Sequence, residues 1–262
     1  MPSFTQDEAT EYDSRITRLV PGYDLLHSCT AAQLSATLDD NAHILVVGNQ
    51  EEVANFFKTN KDISSIIHFA AYKAVGESVS DPIKYYENNL YSLINIIKEV
   101  EKLNLKIHFI FSSSCTVYGQ ADTLPIKEDS PVKLAESPYG NTKQICEEIL
   151  EDFSKVSDKM NIISLRYFNP IGAHPSLHIG ELPLGKPQNL IPFITQTAAG
   201  IHENLTIFGD DYNTKDGTCI RDYIDVVDLS NAHVAALKKL ELSKGSTPNY
   251  EVYNLGTGNG SS

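Results

Sequence analysis

The chain has 262 residues, 41% apolar and 21% charged, which is ordinary globular chemistry for one elaborated α/β domain. Its formal net charge is −13, so it lacks the basic face of a nucleic-acid binder, and no apolar run approaches the length of a membrane span. The polar, acidic start (Met1 to Thr10) is not a secretory signal, and the scattered Cys29, Cys115, Cys146 and Cys219 form no C-x-x-C pair; that argues against zinc or a disulfide framework and fits the reducing cytoplasm.

Residues 1–20 are polar and poorly patterned. Tyr23–Leu26 is a weak strand candidate, Ile44–Val47 a better one and Ser65–Ala70 a good one. Pro82 stands where a first helical turn begins, and Ile83, Tyr86, Leu90, Leu93, Ile97, Val100 and Leu103 follow at three- and four-residue steps, an amphipathic helix over 81–104. Ile107–Phe111 is a strong strand. A second helical pattern covers 141–157, Ile162–Tyr167 is another strand, Asp228–Leu242 a third helix and Glu251–Asn254 a late strand. Between them, 169–220 is rich in Pro, Gly and Asn, with one short helix near Pro192–Ala199. Strands alternating with long helices predict crossover units and a parallel, doubly wound sheet; the loop-rich stretch reads as a lobe over its carboxyl edge, where such folds bind ligands. The divisions are 1–20, 21–168 for the sheet domain, 169–220 for the lobe, and 221–262 for a helix and strand returning to the sheet.

The chemistry concentrates in two segments. SSSCTVYG (Ser112–Gly119) directly follows the Ile107–Phe111 strand, at its carboxyl end, and SPYGNTK (Ser137–Lys143) opens the next long helix. Tyr139 and Lys143 are four apart and share one helical face. A phenol with a solution pKa of about 10 is a poor base at neutral pH, and a nearby ammonium favours its phenolate. A hydroxyl such as Ser114 can hold a substrate alcohol and pass its proton on. With thirteen tyrosines in the chain, about one Y-x-x-x-K pair is expected by chance. The motif gains meaning only from the serine cluster ending a strand and the pair opening the following helix.

With SSSCTVYG and SPYGNTK stand IIHFAAYKAVGESVSDPIKYYENN, RYFNPIGAHPS, NLIPFITQTAAG and FGDDYNTKDGTCIRDYIDVVDL. In this order, from about Ser65 to Gly260, they resemble the successive signature segments of the UDP-galactose (UDP-glucose) 4-epimerases of the extended short-chain dehydrogenase family. The resemblance implies a Rossmann-like fold, NAD as cofactor and a UDP-hexose substrate epimerised through a 4-keto sugar. It implies Tyr139 as base, Lys143 as its tuner and a ligand of the nicotinamide ribose, and Ser114 as hydroxyl relay. It further implies cofactor contacts at Phe69, Ala70, Ala71, Lys73, Asn88 and Tyr167, and substrate contacts at Phe168, Asn169, Asn189 and Arg221. Helices 81–104 and 141–157 match the family's dimer helices, which implies a homodimer or a pairing with a full-length paralogue.

Plainer readings stand beside these. Phe69 is equally a core residue, Lys73 and Asn88 are solvated surface, and Arg221 pairs with Asp222. His68 reads as a satisfied core histidine. Asp225, where the family has histidine, receives no role.

The sequence also departs from the family. No G-x-x-G-x-x-G turn occurs near the start; the first glycines are Gly22 and Gly48. Such a turn lets backbone N–H groups close on a pyrophosphate. GYDLLHSC and ILVVGN faintly resemble the second and third strands, with His27, Ser28 and Asn49 in place of acidic residues. The connection from Asn49 to Phe69 is about two residues shorter than the family pattern, and ENNLYSL lacks a customary Gly. Beyond NLGTGNGSS the family continues with more of the substrate lobe. The expectation is therefore a sheet lacking its first strand and Gly-rich turn, with an incomplete lobe. Two readings stay open: a working epimerase, and a non-catalytic relative or gene fragment. A 4,6-dehydratase ranks below both, because Cys115-Thr116 follows Ser114 where that chemistry uses an Asp-Glu pair.

Overall fold

The computed structural model describes residues 50–176, 187, 189–243 and 249–262. The segment 1–20 and the candidates Tyr23–Leu26 and Ile44–Val47 lie outside the described residues. So does the stretch for which a missing first strand and turn are predicted.

The described chain begins with helix α1 (Gln50–Thr59), strand β1 (Ser65–His68), helix α2 (Val75–Ser80) and helix α3 (Pro82–Lys102). Strand β2 (Ile107–Ser114) runs into a 3-10 turn (Cys115–Tyr118), followed by α4 (Pro138–Val156), β3 (Met160–Tyr167) and β4 (Asn169–Ile171). Then come α5 (Leu190–Ala198), β5 (Arg221–Asp225), α6 (Val226–Leu242), β6 (Tyr250–Leu255) and β7 (Gly260–Ser261).

Among the described residues, four strands form a parallel sheet in the order β1-β2-β3-β6. Its central strands are buried on both faces, which is why they read as nearly continuous apolar runs. Phe109 and Phe111 join Val53 and Phe57 of α1, Leu93, Ile96 and Val100 of α3, and Leu150 of α4 in one core cluster. Ile110, between them in the strand, joins Ile163, Leu165, Leu229 and Leu240 in a second. Alternate residues of a strand point to opposite faces, so two clusters sharing one strand mean helices on both sides. Each large apolar side chain so buried contributes about 1.5–3 kcal/mol.

The helix starts are written in the sequence. Pro82 and Pro138 occupy first-turn positions, where a missing N–H costs nothing. Asp81 caps α3 by accepting from Lys84 N, and Ser137 caps α4 by accepting from Gly140 N at 3.1 Å. Because α4 starts at Pro138, Tyr139 lies in its first turn.

The structure departs from the sequence reading in local ways. The strand predicted over Ser65–Ala70 ends at His68, and α1 and α2 appear where no helix is predicted. A separate three-stranded sheet, β4-β5-β7, pairs Asn169 with Tyr223 in parallel and Arg221 with Ser261 in antiparallel. Residues 169–171 and 221–225, placed in different units by the sequence reading, thus share one sheet. Strands of two to five residues are too short to show a period. Among the described residues, no helix is long and apolar enough to cross a membrane.

Candidate active site

The carboxyl ends of β1, β2 and β3 open into a cavity of about 730 Å³ whose wall includes Phe69, Ala71, Lys73, Ser112 to Thr116, Tyr139, Lys143, Tyr167, Phe168, Asn169, Asn189 and Arg221. Two elements place its chemical groups. The end of β2 delivers Ser114, whose hydroxyl also caps the 3-10 turn by accepting from Thr116 N at 3.3 Å. The first two turns of α4 deliver Tyr139 and Lys143, on one face of the helix.

Burial pushes the Tyr139 phenol up to about 12, opposed by the neighbouring Ser114 hydroxyl, which favours the ionised form. Lys143 is buried, and burial lowers its ammonium to about 8, against the opposing influence of Cys146 and Glu147. Its Nζ donates to the Ser112 carbonyl at 2.6 Å and lies 4.8 Å from the centre of the Phe111 ring. In this arrangement the Lys143 hydrogen bond goes to the strand backbone, and desolvation dominates at Tyr139.

On the neighbouring strand, Tyr167 is the register partner of Ser114; it is buried, and its phenol is held far above the ordinary range, chiefly by burial, with the Ser112 hydroxyl opposing. Its Oη lies 2.5 Å from Nε2 of His233 on α6, whose Nδ1 lies 2.8 Å from the Leu229 carbonyl. His233 also packs against Phe69, with ring centres 4.9 Å apart. Sequence reasoning missed His233. Its only local signal is a polar residue on the buried face of α6.

The remaining predicted residues divide. Ala70 lies behind the wall, its carbonyl accepting from Ser92 Oγ at 3.3 Å. Asn88 is exposed, does not line the cavity and donates to its neighbour Asn89 at 3.1 Å. It is Asn89 that is buried: it accepts from Tyr72 N at 2.8 Å and donates to Tyr72 O and Thr142 Oγ1, each at 3.0 Å, tying the turn after β1 to α4. Lys73, Asn189 and Arg221 are exposed at the rim. Arg221 donates to the Ile220 carbonyl, whereas Asp222 accepts from Thr257 and Gly258, so the predicted Arg221–Asp222 pair does not form. Asp225 does have a role: it caps α6 by accepting from Val227 N at 2.7 Å. His68 is buried as expected but not satisfied. Neither ring nitrogen has a hydrogen-bond partner, and burial together with the Lys143 charge pushes its pKa down to about 3.

A sequence profile of the NAD dependent epimerase/dehydratase family matches residues 16–256. The chain belongs to that family. Within it, the chain is 44% identical to UDP-glucose 4-epimerase 2 of Arabidopsis thaliana over 249 residues, covering 93% of this chain and 69% of the relative. It is 50% identical to the UDP-glucose 4-epimerase of Bacillus subtilis over 212 residues, covering 81% of this chain and 60% of the relative. The chain thus spans only about 60–70% of the length of these two epimerases.

Solved structures of the epimerase/dehydratase family agree. The UDP-glucose-4-epimerase from Stenotrophomonas maltophila, with bound NAD and formylated UDP-arabinopyranose, superposes with a TM-score of 0.81 at 36% identity, over 92% of this chain and 77% of that one. The UDP-glucose 4-epimerase from Bifidobacterium longum, in complex with NAD+ and UDP, gives 0.78 at 42% identity, over 92% and 69%.

Proposed function

We propose that this chain interconverts UDP-galactose and UDP-glucose through a 4-keto sugar, a step of galactose metabolism in the cytoplasm, with NAD as its cofactor. One observation carries the reading: Tyr139 and Lys143, one helical turn apart on α4, meet Ser114 of β2 on the wall of one cavity. The likeness to epimerases whose solved structures contain NAD and UDP or a UDP-sugar supports it.

The described residues fit the nicotinamide half of NAD. Phe69 and Tyr167 give aromatic surface, and Lys143 is a buried donor beside Ser112. Ala70, Ala71, Lys73 and Asn88 complete the cofactor side in this reading. NAD, when bound, supplies the hydride acceptor for sugar carbon 4. The chain supplies the proton chemistry. Ser114, on the same cavity wall as the phenol, holds the sugar 4-hydroxyl and relays its proton; Tyr139 receives it. With its phenol near 12, Tyr139 becomes a base only as positive charge gathers in the cavity, and Lys143 is the cation already in the wall. Phe168 and Asn169 face the sugar. Asn189 and Arg221, at the rim, take the uridine diphosphate, for which an arginine fork is well suited.

The engagement of Lys143 by the Ser112 carbonyl favours a second reading, a non-catalytic relative. It would pair with a second copy or an intact paralogue through helices 81–104 and 141–157, where Ile83 and Tyr91 of α3 are exposed.

Purified protein decides between them. NAD is measured in the supernatant after denaturation, and conversion of UDP-galactose is followed by a coupled UDP-glucose dehydrogenase assay. Bound NAD with turnover supports the epimerase. Protein that carries no NAD and stays inert when NAD is added establishes the second reading.

A further inference from the structure

Glu147 extends the Tyr139–Lys143 face of α4 by one more turn, and each of the three engages the serine run that ends β2. Tyr139 meets the Ser114 hydroxyl, Lys143 donates to the Ser112 carbonyl, and Glu147 Oε1 accepts from Ser113 Oγ at 2.5 Å. Glu147 also binds Arg166 through three contacts: Nε at 3.0 and 3.2 Å from the two carboxylate oxygens, and Nη2 at 2.6 Å. Arg166 is the register partner of Ser113 in β3. Its Nη1 donates to Tyr118 Oη at 2.8 Å. Tyr118 donates in turn to Asn254 Oδ1 at 2.7 Å, and Asn254 is the register partner of Arg166 in β6. One carboxylate and one guanidinium thereby join α4, β2, the 3-10 turn, β3 and β6.

Both side chains are buried, at 9% and 6% exposure, and neither lines the cavity. A buried ion pair is a poor source of stability, since apolar side chains of similar size often do as well. What this pair supplies is direction. Successive strand residues face opposite sides of a sheet, so pinning Ser113 and Arg166 on the α4 side fixes their neighbours Ser114 and Tyr167. Those two are themselves register partners, and both line the cavity.

We propose that the Glu147–Arg166 pair is a positioning element of the active site, holding Ser114 and Tyr167 in register against Tyr139. Its kinetic consequence rests on the epimerase reading above; its structural consequence does not.

The test uses Arg166→Lys, which keeps the charge but loses the fork, and the double variant Glu147→Met with Arg166→Met, which replaces the pair with apolar chains of similar length. Amide hydrogen exchange is measured by mass spectrometry, alongside kcat and KM. In the folded double variant, exchange of residues 112–118 and 166–169 is expected to rise at least about tenfold while 107–111 and 160–164 stay protected. In an enzyme that turns over, kcat falls about 100-fold while KM moves by less than about threefold, with Arg166→Lys intermediate. Unchanged exchange in those segments of a folded variant overturns the proposal. So does an unchanged kcat in a wild type that turns over. If the double variant does not fold, Arg166→Lys decides by the same readings. If the wild type does not turn over, the exchange comparison decides alone, so loss of the epimerase reading is distinguished from loss of this one.

Discussion

The Tyr167 hydroxyl lies 2.5 Å from Nε2 of His233, and the other ring nitrogen of His233 lies 2.8 Å from the Leu229 carbonyl. A carbonyl can only accept, so Nδ1 carries the hydrogen, and Nε2 receives the phenolic proton as a hydrogen bond. This chain links a strand end at the cavity to a helix on the far face of the sheet. His233→Phe leaves a buried phenol short of its acceptor and is expected to cost about 1–3 kcal/mol. Chemical denaturation checks this. The cycle with Tyr167→Phe is expected to show a coupling of at least about 0.5 kcal/mol between the two residues.

Tyr139 and Lys143 are expected to separate activity from stability. Tyr139→Phe should lower kcat by about 10²–10⁴ with the fold unchanged. Lys143→Met removes a buried ammonium whose pKa burial has already lowered to about 8. It should melt no lower than the wild type while also losing activity. A coupled epimerase assay and thermal denaturation on the same preparations check both statements.

Asn88 and Asn89 offer an adjacent comparison. Asn89→Ala breaks four hydrogen bonds of a buried amide, one of them from Asn88, and leaves the backbone of Tyr72 without those partners. A loss of about 2–3 kcal/mol is expected. Asn88→Ala, at an exposed position, should stay within about 0.5 kcal/mol. Urea midpoints of the two variants measure the difference.

His68 makes stability depend on pH. Its pKa is about 3 in the folded protein against 6.5 for an ordinary histidine. Between those values the unfolded chain binds a proton that the folded chain refuses, so stability falls as pH drops below about 6.5. From pH 7 to pH 5 this residue removes about 2 kcal/mol. His68→Leu also deletes two unpartnered ring nitrogens. It should be at least as stable as wild type at pH 7 and lose that share of the decline, as read from urea unfolding at both pH values.

Local spacing made much of the site legible. The helix over Pro138–Val156 is signalled by Ser137 and Pro138, and the four-residue interval alone puts Tyr139 and Lys143 on one face. The strand before Ser112–Ser114 is signalled by its apolar run, which continues because helices cover both faces. The short elements were not legible. β4, β5 and β7 have three, five and two residues, and their pairing joins chain segments about 40 and 54 residues apart. The role of Asp225 is legible in principle, as a capping residue before an apolar helix.

The sequence by itself determined which residues share a helix face or a strand end, because those relations follow from 3.6- and 2-residue periods fixed by covalent geometry. It also determined the family, through ordered segments. Only the tertiary structure decided who touches whom across the chain: that Lys143 reaches a strand carbonyl, that His233 braces Tyr167, and that Glu147 holds Arg166. It also decided the sign of the Tyr139 shift. A phenol's ionisation balances the water it loses against the charges it gains, and both are set by how distant segments pack around it.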